Sequence, residues 1–210
     1  MVQVQFFGYY VHIDTKNSSQ YITYLSQGGL GLPDRSFYTP KDERGENILK
    51  EYEKHIAALF KLAGNDDETS AQFSKNVIEI ESALAQSSMT RVERRDPEKT
   101  YNKMTKSELQ ELCSVIDWEG FFNAAELTGF DELVVKQPNY LRDLNKWLKS
   151  YSINDWKTYM KWHLMNDMAG NLSIEFEQQH FDFYSTTLRG TSQMKPRWKR
   201  ALAKSKWQCW

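Results

Sequence analysis

Four histidines, His12, His55, His163 and His180, are the imidazoles this chain could offer to a metal or a proton transfer. None lies in His-Glu-x-x-His, the helical spacing that sets two imidazoles on one face around zinc with a carboxylate base between them. His163 and Asp167 are four apart and Glu177 and His180 three apart, so each pair shares a helical face. Each pair supplies two ligands where zinc needs three or four, and a lone histidine beside an apolar stripe is ordinarily a hydrogen-bonded core residue. There is no Gly-x-Ser-x-Gly elbow, and Cys113, within Leu-Cys-Ser-Val-Ile, reads as a small buried hydrophobe. Glu79 and Glu81, two apart on a helical stretch, point to different faces and are not an acid/base pair. Gln27-Gly-Gly-Leu-Gly-Leu32 has the glycines of a phosphate loop without its Gly-Lys-Ser/Thr ending, and the next helix is delayed past Pro40. The residues assign no catalytic, cofactor-binding or metal-binding position.

The elements that would carry these residues are mostly helical. Gln3 to Ile13 alternates aromatic and β-branched residues, Asp14 to Ser19 is a polar turn, and Tyr21 to Leu25 is β-rich again, which predicts a hairpin. Gln27 to Arg35 holds three glycines and a proline and predicts an ordered loop anchored by Leu30 and Leu32. Apolar spacings of three and four predict helices over Asp42–Ala63 and Asp66–Ser87, joined as an antiparallel pair. Shorter helices follow over Lys106–Val115, Trp118–Leu127 and Tyr140–Ser150, with an extended run at Glu132–Lys136. From Asn154 to Leu188, Trp156, Met160, Leu164 and Met168 step by four and Leu172, Phe176, Phe181 and Tyr184 continue the stripe. That pattern predicts one helix of roughly 50 Å, with part of its apolar face awaiting a partner.

Composition excludes several classes. With 27 basic and 28 acidic residues in 210, the net charge of −1 gives no footprint for nucleic acid or an anionic membrane. The basic end, Lys195 to Arg200 with Lys204 and Lys206, is a solvated face or a contact to further chain. Cys113 and Cys209 are too few for a disulfide framework. No run of ~18 apolar residues could span a bilayer, and the first ten residues lack the parts of a secretory signal. Asn17-Ser-Ser19 and Asn171-Leu-Ser173 match the glycosylation sequon, which chance often produces.

Asp14-Thr-Lys-Asn-Ser18, followed by Gln27-Gly-Gly-Leu-Gly-Leu-Pro-Asp-Arg-Ser-Phe-Tyr38, closely resembles a signature of the neprilysin-like metallopeptidases, peptidase family M13, with Phe37 in place of a tyrosine. Tyr52-Glu-Lys-His-Ile56, Val77 to Ala85, Arg95 to Thr105, Phe183 to Gly190 and Pro196 to Arg200 are similar to later landmarks, in the same order. The resemblance implies a mainly α fold, a helical domain with a small N-terminal β-hairpin and one very long C-terminal helix. It further implies that residues 1–202 are part of the family's non-catalytic cap, which encloses the active-site chamber and limits substrates to peptides. The zinc, its HExxH pair and a later glutamate belong to a second, catalytic lobe, absent here, so the fragment is expected to be inactive alone. The expected partners are that lobe and the parent's peptide substrates, with no nucleic acid and no membrane segment. The parent is expected in the periplasm, outside the cell, or anchored facing outside. Gln27, Gly28, Gly29, Leu30, Leu32, Pro33, Arg35 and Tyr38 form the family's structural loop. Residues 203–210 depart from the pattern and read as a shifted frame or a gene-model end. The competing reading is a free-standing helical module that binds peptides or proteins without catalysis.

Overall fold

The alternation near the N-terminus does form strands. In the computed structural model, which describes residues 2–4, 6–196, 198–200 and 202, β2 (Phe7–Asp14) pairs antiparallel with β3 (Asn17–Gln27) across a tight turn. β1 (Val2–Val4) adds to the outer edge of β2. The expected hairpin is thus the larger part of a five-stranded sheet of order β1-β2-β3-β5-β4, completed by β4 (Asn102–Thr105) and β5 (Glu132–Val135). β5 lies parallel to β3, which the intervening helices permit because parallel pairing needs a long crossover. β5 occupies the extended run foreseen at Glu132. β4, Asn-Lys-Met-Thr, shows no alternation, and its pairing with β5 is what extends it.

About 59% of the described residues are helical, 3-10 and π-helical turns included. α1 (Glu43–Leu62) and α2 (Asp67–Ser87) match the two predicted long helices. Asp42 and Asp66 cap them by accepting from the amides of Gly45 and Thr69, both at 2.7 Å. Gly64, at φ +93°, turns the chain between the two. Four shorter helices follow: α3 (Pro97–Thr100), α4 (Lys106–Leu112), α5 (Trp118–Ala124) and α6 (Pro138–Ser150).

The single long C-terminal helix is not formed. α7 (Ile153–Met168) ends in a 3-10 turn at Ala169–Asn171, Leu172 is extended, and α8 (Ile174–Phe181) starts afresh before a π-helical segment, Asp182–Thr187. Gly170 and Asn171 are weak helix formers, and the break brings Phe176, Phe183, Tyr184 and Leu188 back onto the α1 side of the core. Of the four-step stripe, Trp156 faces the core as expected and the other three do not. Tyr159, Trp162, His163 and Asn166 are the buried face of α7, while Met160, Leu164 and Met168 are exposed, Leu164 by 62%. The inward face mixes rings with polar groups that find buried partners, so hydrophobicity alone points to the wrong side.

The core has two main parts. One lies under the sheet, where Phe7, Leu25, Leu133 and Val135 meet Trp118, Phe122, Tyr140, Leu144 and Trp156. The other lies among α1, α2, α7 and the π-helical segment, around Tyr52, Ile56, Leu59, Phe60, Val77 and Trp162. Leu30, in the glycine-rich loop, packs against both. No helix among the described residues is long and apolar enough to cross a membrane. Trp207, Cys209 and the rest of the 203–210 tail lie outside the described residues.

Candidate functional site

Between the end of β3 at Gln27 and the 3-10 turn Arg35–Tyr38, the loop has no regular backbone pairing of its own, so its peptide groups must be satisfied by other parts of the fold. Four tyrosines and two glutamines do this. The Gln27 amide donates to Gln137 Oε1 at 2.8 Å. Its side chain clasps Met89, donating to the carbonyl at 3.3 Å and accepting from the amide at 2.7 Å. The Tyr140 hydroxyl faces both the Gly28 carbonyl at 2.9 Å and the Phe6 carbonyl at 2.7 Å. Tyr159 donates to the Gly29 carbonyl at 2.8 Å and Tyr184 to that of Gly31 at 3.0 Å. The Leu32 amide donates to the Tyr38 hydroxyl at 3.0 Å.

Glycine is required where backbone comes this close. Gly29 sits at φ +84°, in the left-handed region. A Cβ on Gly28 would stand 3.1–3.3 Å from the Phe7 backbone. Beyond Pro33, Asp34 caps the 3-10 turn Arg35–Tyr38 by accepting from the Ser36 amide at 3.0 Å. Burial opposes its ionisation, but hydrogen bonds from Ser36 and the Arg91 guanidinium, 3.0 Å away, outweigh that and hold its carboxyl below the usual range. Arg35 donates to the Ser88 carbonyl at 2.5 Å, fastening the loop to the end of α2.

Beneath the loop lies Glu81, fully buried. Tyr38 donates to its Oε2 at 2.6 Å, Tyr52 to the same oxygen at 2.9 Å, and the Trp162 indole to Oε1 at 3.2 Å. His163 Nε2 stands 2.9 Å from Oε1, close enough for an ion pair but not aligned as a hydrogen bond. Burial, and then the Glu81 charge, push the Tyr38 and Tyr52 phenols well above their ordinary value, so both remain donors. One carboxylate therefore joins the loop, α1, α2 and α7.

A second chain of hydrogen bonds ends on the same loop. Gln179 approaches His55 Nδ1 at 3.3 Å, and His55 Nε2 meets Asn166 Oδ1 at 3.4 Å. Asn166 donates to the Tyr184 hydroxyl at 3.1 Å, which donates on to Gly31. With an amide N–H facing Nδ1 and an amide oxygen facing Nε2, this site suits a neutral imidazole. Burial pushes the His55 pKa down to about 3, against the Asn166 hydrogen bond. The folded value is below the ordinary 6.5, so this contribution to stability is complete above pH 6.5 and drains as pH falls toward about 3. At about pH 5 the loss reaches ~2 kcal/mol, from ~1.36 kcal/mol per pKa unit. Urea midpoints measured near neutrality and at about pH 5 should show this drop, and His55→Gln should flatten it.

These contacts tie down six of the eight signature-loop residues, Gln27, Gly28, Gly29, Leu32, Arg35 and Tyr38, while Leu30 is held by the core and Pro33 is exposed. The four histidines, by contrast, do not share one site, although the His55 and His180 rings lie 6.3 Å apart. His12 is exposed on β2, and Asp167 is exposed while His163 turns inward. Glu177 pairs with Arg200 at 2.7 Å, and His180 lies against the Tyr184 ring with centroids 4.6 Å apart. Among the described residues no group of three or more His, Cys, Asp or Glu side chains is placed to hold a metal ion. The described residues therefore offer zinc no fitting donor set. Sequence reasoning weighs Glu81 only as half of an acid/base pair with Glu79 and sets it aside, although it lies four residues after Val77 and three before Leu84, on the apolar face of α2. A carboxylate at that register is the signal that marks it.

The fold and site define a helical domain on a small sheet whose buried chemistry holds a loop in place. The N-terminal model of peptidase family M13 matches residues 2–206. Endothelin-converting enzyme 1 of Rattus norvegicus is 33% identical over 199 residues, 92% of this chain and 26% of that enzyme. Membrane metallo-endopeptidase-like 1 of Mus musculus is 28% identical over 204 residues, with 90% and 26% covered. The open state of the Mycobacterium tuberculosis zinc metalloprotease Zmp1 superposes with a TM-score of 0.88 at 34% identity, covering 94% of this chain and 31% of that one. PepO of Lactobacillus rhamnosis HN001, 16% identical with a TM-score of 0.73, shares the fold. The chain belongs to peptidase family M13 and corresponds to the N-terminal domain of its members. It spans about a quarter of the length of the curated relatives.

Proposed function

We propose that residues 1–202 act as the cap of an M13 zinc metallopeptidase, enclosing the chamber in which peptides are cleaved and limiting what enters. The domain holds no catalytic group of its own and is inert alone. Zinc, its ligands and the groups that ready water for attack come from the separate catalytic part of the intact enzyme. The observation that carries this reading is the pinned loop: Gln27–Tyr38, the stretch with the strongest family signature, is held in place by Tyr140, Tyr159, Tyr184 and Glu81. The exposed row of Met160, Leu164 and Met168 supports it, because a cap must present apolar surface to the part it covers.

The purified chain, supplied with zinc and a quenched fluorescent peptide, should give no cleavage that a chelator suppresses. Chelator-sensitive turnover would overturn the assignment. Light scattering over a concentration series should show association through the uncovered apolar row. A clean monomer at every concentration would count against it.

A further inference from the structure

A concavity of about 510 Å³ opens beside the signature loop, within the ~300–1,000 Å³ range of ligand sites. Its apolar lining comes from Ile48, which is buried, and from Phe37 and Leu188, which are half-buried. Arg44, Arg91 and Arg189 stand around it with exposed side chains, and Lys41 adds a fourth cation. Asp42 is the one carboxylate among the lining residues, and its Oδ1 already caps α1 through the Gly45 amide at 2.7 Å. Arg91 is engaged by Asp34. Arg44, Arg189 and Lys41 have no ion-pair partner among the described residues.

This clustering is a tertiary product on a chain whose net charge is −1. The cations come from the start of α1, the segment after α2 and the end of the π-helical segment. It is not explained by local stability. Arg44 lies in the first turn of α1, where the helix dipole disfavours a cation. Uncompensated like charges around a concave apolar surface focus a positive potential there. A guanidinium also matches a carboxylate with two parallel hydrogen bonds.

We propose that this pocket binds an acidic peptide segment, seating one large apolar side chain on Phe37, Ile48 and Leu188 while flanking carboxylates pair with Arg44 and Arg189. Lys41 and the outward part of Arg91 contribute charge. The inference is independent of the cap assignment, which is tested by cleavage rather than by binding.

Fluorescence polarisation with a labelled peptide carrying a leucine between glutamates tests this on the 210-residue chain. Binding should saturate, weaken with added salt, and fall at least about ten-fold when the glutamates become glutamines. Arg44→Ala/Arg189→Ala should cause a similar loss, whereas Lys157→Ala, on the exposed side of α7, should change nothing. Both arginines are exposed, so the double variant should keep its circular dichroism and melting transition. Equal affinity for the glutamine peptide, an unchanged double variant, or no saturable binding would overturn the proposal. So would tighter binding of a single-stranded oligonucleotide than of the acidic peptide.

Discussion

Replacing Glu81 with alanine should lower the unfolding free energy by about 3–5 kcal/mol, the scale for removing one partner from a buried ionic cluster. Tyr38, Tyr52 and Trp162 would lose their acceptor, and His163 the carboxylate beside it, in a fully buried site. Domain stabilities are typically ~5–15 kcal/mol, so the alanine variant could fail to accumulate in folded form. Glu81→Gln keeps the volume and one acceptor oxygen but turns an NH₂ group toward hydroxyl donors, and should cost about 1–3 kcal/mol. Urea midpoints of both variants give the comparison. A Glu81→Ala protein as stable as the wild type would show that the carboxylate does not hold the loop.

Gly31→Ala should be nearly as damaging, for a different reason. The Gly31 φ is not in the left-handed region, so alanine is conformationally allowed there; space is what it lacks. A Cβ would run into the Tyr52 hydroxyl, and stand 3.0 Å from the Tyr52 ring carbon that bears it and 3.2 Å from Glu81 Oε1. Tyr52 is fully buried between Trp162 and Phe183 and cannot swing aside. Overpacking of this kind costs about 1–3 kcal/mol, and pushing the hydroxyl off Glu81 adds roughly 1.5–3 kcal/mol. Tyr52→Phe removes the atom in the way. The cost of Gly31→Ala should therefore be smaller by at least about 1 kcal/mol in a Tyr52→Phe background than in the wild type. Simple additivity of the two losses would refute the contact.

The two predictions concern one assembly. Glu81 anchors Tyr38 and Tyr52, Gly31 lies against Tyr52, and its carbonyl ends the His55–Asn166–Tyr184 chain. Acid should reach that assembly first through His55, from about pH 6.5 downward, and through Asp34 only below the ordinary carboxylate range. Both have depressed folded values, so both contributions fade as pH falls. Loosening of the loop under mild acid, seen as faster amide exchange at Gly31 and Leu32, is the expected signature.

Local patterns settled a good deal before any packing was considered. Apolar recurrence and acidic caps placed α1 and α2 within a residue or so, because a cap and a 3.6-residue stripe are both written in neighbouring positions. The alternation of Phe7, Tyr9 and Val11 placed the hairpin, and the order of the landmarks from Asp14 to Arg200 placed the family. Three features were decided by the tertiary structure. β4 exists because β5 pairs with it. The stripe through Met160, Leu164 and Met168 faces outward because Trp162, His163 and Asn166 find Glu81, His55 and Tyr184 inside. The chain breaks at Gly170, where a weak helix former meets the gain from folding Phe183 and Tyr184 back onto α1. In each case distant residues supply the free energy. In these cases a short window of sequence contains one partner of the contact and not the other.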